Sequence, residues 1–122
     1  MPTALTLGPE ARQWLRQNQN ASALASNRFG ASEEAIKFVE EIYALGAEKV
    51  IIPQPCLRDD EQTLQYEEGP YADGLTVFLP KVSSARKALL ERCYEEAENE
   101  GFGDENFNPD SYNEDFVFLW WD

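Results

Sequence analysis

The sequence has no histidine, only two cysteines, and ten basic side chains against twenty-three acidic ones in its 122 residues. The missing histidine removes the usual general base, proton shuttle and nitrogen metal ligand, and with them the common catalytic triads and zinc sites. Cys56 and Cys93 do not make a disulfide framework, and a single domain of this length buries enough surface to fold without staples. The N-terminal stretch Met-Pro-Thr-Ala-Leu-Thr-Leu-Gly lacks the basic start and long apolar middle of a signal peptide. The expectation is therefore a cytoplasmic protein with reduced thiols. No apolar run exceeds the six residues Phe116 to Trp121, far short of the roughly 20 that span a bilayer. No glycine-rich phosphate loop occurs either.

Positive charge is scarce, and it is also unevenly spread. Up to Arg58 six basic side chains balance six acidic ones, so the whole net charge of −13 lies beyond that point. From 91 to 122, eleven carboxylates stand against Arg92 alone. Such a field opposes nucleic-acid backbones and anionic membranes and favours basic proteins or cations. Solubility is the simpler use of an acidic surface.

What is present reads as alternating strands and helices. Gly8 and Pro9 suit a helix start before Ala11, Trp14 and Leu15, giving a helical appendage over residues 1–22. Residues 23–122 read as a single α+β domain. Within it, Ala23 to Phe29 is a weakly marked first strand. Ser32 caps a helix whose Ala35, Phe38, Val39 and Ile42 recur at helical spacing, and Gly46 stops it. Lys49 to Ile52 is a strand. Pro53 to Pro70 is irregular, with Thr63 to Tyr66 a candidate hairpin extension. Leu75 to Leu79 is a strand ended by Pro80. Ser83 or Ser84 opens a helix with Ala85, Leu89, Cys93 and Ala97 on one face, and Gly101 closes it. Phe116 to Trp121 reads as a final strand covered on both faces.

The order β-α-β-β-α-β, with a short helix before it, predicts a ferredoxin-like sandwich: a four-stranded antiparallel sheet with two helices on one face. The last strand is then an edge, and one of its large-residue faces needs a cover. The N-terminal segment with Leu5, Leu7, Trp14 and Leu15 is the first candidate. A homodimer stacked through open sheet faces is the second, and a foreign partner or ligand the third.

Chemistry-bearing residues are few. Cys56, in a loop after Pro55, has no histidine to activate it, and Cys93 fits a core stripe. Asp104, Asn106, Asn108, Asp110 and Asp115 alternate like calcium ligands, but Pro109 stands where such a loop needs glycine and a strand follows. Asn27 and Arg28 sit before a helix start, where an anion can be held; an ion pair with one of the many carboxylates is the simpler use of that arginine.

No cofactor, metal or catalysis is expected. The preferred reading is a non-catalytic acidic binding protein that docks a basic protein partner, as inhibitors, immunity proteins and nucleic-acid mimics do. Its surface would comprise Glu95, Glu96, Glu98, Glu100, Asp104, Glu105, Asp110, Tyr112, Glu114 and Asp115, with Phe102, Phe107 and Tyr112 as apolar anchors. The alternative is a regulatory domain that dimerises through its sheet and senses a small ligand at Asn27 and Arg28.

Overall fold

The computed structural model describes residues 7–18, 20–58, 65, 70–100, 112 and 114–121, except for the side chains of 26, 27 and 97–100. The chain is α+β. In order it forms α1 (Ala11–Gln17), α2 (Ser26–Phe29), α3 (Ser32–Ala44), β1 (Lys49–Ile51) and a 3-10 turn at Gln54–Cys56. There follow β2 (Leu57–Arg58), β3 (Tyr71–Ala72), β4 (Gly74–Phe78), α4 (Ser83–Glu100) and β5 (Phe116–Trp120). Among the described residues β1, β4 and β5 make a three-stranded antiparallel sheet in that order, and β2 pairs with β3 in a separate two-stranded one.

Helix α1 begins at Ala11, two residues later than a proline at the first helical position suggests. The Glu10 carboxylate is its cap, accepting from the amides of Arg12 (3.0 Å) and Gln13 (2.7 Å). Pro9 stays extended, because its carbonyl accepts from Ile52 N–H (2.9 Å) while that of Leu7 accepts from Gln54 N–H (2.8 Å). Residues 7–10 therefore run antiparallel along the outer edge of β1 instead of lying over a sheet face, and Leu5 lies outside the described residues. Gly8 is obligatory there, since a Cβ at that position would stand 1.7 Å from the Ile52 carbonyl oxygen. Ala11 and Leu15 enter the main core beside α3.

The first expected strand, Ala23 to Phe29, is a correction. Only Leu24 forms a strand-like bridge, parallel to Ala72. The amide of Ala25 donates to the Ala72 carbonyl, and that of Ala72 to the Ala23 carbonyl. Ala25 then takes a positive φ of 39°, which breaks the extended course, and Ser26–Phe29 turns into a short helix. The polar Ser26-Asn27-Arg28 run was the sign that this stretch would not serve as a central strand. The described strands accordingly number three in the main sheet, and β5 pairs directly with β4.

Helix α3 buries the four residues its spacing marks, Ala35, Phe38, Val39 and Ile42. Ser32 is its first residue, not its cap. Its hydroxyl accepts from Ala23 N–H (2.8 Å) and donates to the Asn20 carbonyl (2.8 Å), which ties the helix start to the preceding loop. Gly46, at φ 115°, supplies the left-handed stop.

The core lies on one side of the main sheet. Val50, Leu75, Val77, Val117 and Leu119 face Phe38, Val39 and Ile42 of α3 and Leu89, Leu90 and Cys93 of α4. Strand β5 is therefore not sealed on both faces. Val117, Leu119 and Trp121 are buried, whereas Phe116 and Phe118 are half-buried and Trp120 is 40% exposed. The alternation that the all-apolar sequence conceals is present in the burial. No helix is long and apolar enough to cross a membrane among the described residues.

Candidate functional site

The most unusual feature of the interior is a carboxylate. Glu96 is only 2% exposed, on the core side of α4, and it gathers three cationic or N–H donors. Arg28 grips it with Nε (2.7 Å) and Nη2 (2.9 Å), one to each oxygen. Trp121 donates from Nε1 at 3.2 Å, and Arg92, one helical turn back, stands at 3.5 Å. Burial alone would raise the pKa of this carboxyl. The hydrogen bonds from Arg28 and Trp121 and the charges of Arg28 and Arg92 outweigh that and hold it below the ordinary 4.5.

Aromatic rings build the walls of this knot. Phe29 and Phe38 meet in a tilted pair at 5.3 Å, and Trp121 meets both edge-on at 5.3 and 5.9 Å. The Arg28 guanidinium lies over Phe29 (4.7 Å) and that of Arg92 over Phe38 (5.1 Å). Four elements thus meet at one point: α2, α3, α4 and the end of β5. Outside it opens a cleft of about 330 Å3 lined by Arg28, Phe29, Glu34, Lys37, Phe38, Glu41 and Arg92. Its cations already face carboxylates, with Lys37 3.2 Å from Glu34 and Arg92 3.1 Å from Glu41. The charges in this cleft are largely cancelled.

The acidic surface residues separate into groups. Glu96 leaves the expected wet face entirely and becomes an internal counter-ion. Glu95, Glu114 and Asp115 are exposed and make no ion pair among the described residues. Glu91, one turn before Glu95 on α4, is likewise exposed. Tyr112 is half-buried, its hydroxyl donating to the Phe116 carbonyl, so it braces the start of β5 and is not a free anchor. Arg86 reaches the carbonyls of Tyr112 (3.3 Å) and Glu114 (2.6 Å), holding the same approach. Glu98 and Glu100 lie on α4, and Asn27 on α2, with their side chains outside the described set. Asp104, Glu105 and Asp110, and most of the calcium-like alternation, also lie outside the described residues, as do Phe102 and Phe107.

Cys56, in the turn after Pro55, is buried. Burial, then the charge and hydrogen bond of Asp73, push its thiol up to about 12. Burial does the same for Cys93, also to about 12. Neither is a thiolate near neutrality, which argues against a nucleophilic role for either. No group of three or more metal-ligating side chains converges among the described residues.

Sequence reasoning missed the Glu96 knot although a signal was there. Read by residue type alone, the apolar stripe of α4 runs from Cys93 on to Ala97. Glu96 stands at i+7 from Leu89 and i+3 from Cys93, so the same helical spacing also reaches it. Comparison of the chain with protein-family models, with curated proteins and with solved structures finds no match.

Proposed function

We propose that this chain is a non-catalytic binding protein that docks a basic protein partner through its acidic C-terminal half, in the manner of an inhibitor, an immunity protein or a nucleic-acid mimic. The observation that carries the reading is the pattern of ion pairs. Arg12 and Arg16 both serve Glu40, Arg28 serves Glu96, Lys37 serves Glu34 and Arg58 serves Asp73. The cations of the first half are thereby committed mostly to their own half or to buried and hairpin carboxylates. Glu91, Glu95, Glu114 and Asp115 stay exposed and are left to a partner. Such a surface steers a basic protein in from solution and loses its pull as salt screens it.

On this reading the protein works in the cytoplasm without a cofactor. A ferredoxin-like sandwich remains a finer proposal that nothing in this reading requires. The competing reading, a ligand-sensing domain that dimerises through its sheet, draws on the cleft beside Arg28, but the cations there are already matched by carboxylates. The test is affinity capture from the native lysate at low and high salt. Recovery of a basic protein at low salt only is expected; capture indifferent to salt, or of no basic protein, would overturn the proposal.

A further inference from the structure

The register of β5 determines what its outer edge offers. Leu79 N–H donates to the Asp115 carbonyl (2.9 Å) and Trp121 N–H to the Asp73 carbonyl (2.9 Å). In an antiparallel pair this means that 115, 117, 119 and 121 exchange bonds with β4, while the amides and carbonyls of Phe116, Phe118 and Trp120 point off the sheet. The Phe116 carbonyl is met by the Tyr112 hydroxyl. Those of Phe118 and Trp120, with their amides, have no partner among the described residues. Among the described residues the edge is open where Trp120 is also 40% exposed.

An open apolar edge invites another strand, and proteins usually guard against it with lysine, proline or a bulge. Residues 116–121 contain no lysine, arginine or proline, and the five pairs from Phe116 to Trp120 run without a bulge. Gly74 lies opposite Trp120, so no cross-strand side chain covers that indole from β4. At the start of the strand Glu114 and Asp115 are exposed.

We infer that the outer edge of β5 accepts an extended segment of the basic partner as an added strand. This rests on the docking reading above and names the surface it uses. The incoming backbone would pair with the amides and carbonyls of Phe118 and Trp120. Apolar side chains of alternate residues would lie beside those two rings, and a lysine or arginine would meet Glu114 and Asp115. Charge selects this occupant over a second copy of the chain, because two molecules of net charge −13 would have to meet edge to edge.

Three capped peptides test it on the full chain: one alternating valine with lysine, its glutamate counterpart, and the lysine peptide N-methylated at every second amide. Binding is followed by Trp fluorescence and by amide exchange at Phe118 and Trp120. Saturable binding of the lysine peptide with slowed exchange at both amides is expected. N-methylation should weaken it by about tenfold, as expected when two backbone hydrogen bonds cannot form. Trp120→Lys should abolish it, and Trp120→Ala, checked by its urea midpoint, serves if the lysine variant does not fold. Binding indifferent to N-methylation, with both amides unprotected, would overturn strand addition and leave salt-dependent docking standing. No binding of the lysine peptide would overturn it equally. Equal binding of lysine and glutamate peptides with both amides protected would overturn the basic occupant and the docking reading together. A dimer by light scattering whose two amides are protected without peptide would give the edge to a second copy and overturn the proposal.

Discussion

Glu96→Gln removes one charge from the interior and keeps the shape of the side chain that Arg28 and Trp121 grip. Breaking a buried ion pair by removing one partner costs about 3–5 kcal/mol when the surviving charge stays sealed in. Here the Arg28 side chain is 30% exposed and that of Arg92 19%, so the stranded guanidiniums regain part of their hydration. The glutamine oxygen can still accept from Trp121. A loss of about 2–3 kcal/mol is therefore expected, a large fraction of the roughly 5–15 kcal/mol that holds a domain together. Urea unfolding should show a lower midpoint with an unchanged slope. The pH dependence has a defined sign. The folded carboxyl titrates below its ordinary 4.5, so its contribution is fully present above that value and disappears as pH falls through the folded value. The gap between wild type and variant should close in the same window. A loss under about 0.5 kcal/mol at pH 7, the size of an ordinary surface change, would refute the buried knot.

Parity along β5 predicts that Leu119→Ala costs about 2–5 kcal/mol by urea unfolding and Trp120→Ala much less, and equal losses would place the strand in the wrong register. Gly8→Ala should destabilise by about 1–3 kcal/mol or more, because a Cβ meets the Ile52 carbonyl at 1.7 Å; a neutral thermal shift would mean that the N-terminal segment does not run beside β1. Cys56 and Cys93, both pushed up to about 12 and buried, should resist iodoacetamide at pH 8 until urea unfolds the chain, and rapid labelling of the native protein would contradict their burial.

How much of this was legible beforehand depended on whether local pattern or distant partners set each element. Helix α3 was readable because its apolar residues recur at helical spacing and Gly46 stops it. Strands β1 and β4 were readable because short β-branched runs are bounded by Gly46, Pro53, Gly74 and Pro80. The 23–29 stretch failed because its pairing is a single bridge to Ala72, nearly fifty residues away, and because Ala25 takes a positive φ that alanine does not advertise. The burial of β5 was half legible: six apolar residues gave its existence, but two similar parities could not say which faced the helices. At the site, the simpler fate given for Arg28, pairing with a carboxylate, is the one observed. Which carboxylate could not be read, because Glu96 resembles its solvated neighbours in everything except helical phase.

The most direct measurement is the salt dependence of affinity for the captured basic partner, made on the wild-type chain and on Glu91→Gln/Glu95→Gln/Glu114→Gln/Asp115→Asn. Affinity should fall steeply as salt rises for the wild type, and the variant should bind more weakly with a shallower slope. Equal slopes for the two proteins, or affinity untouched by salt, would contradict docking through the acidic half.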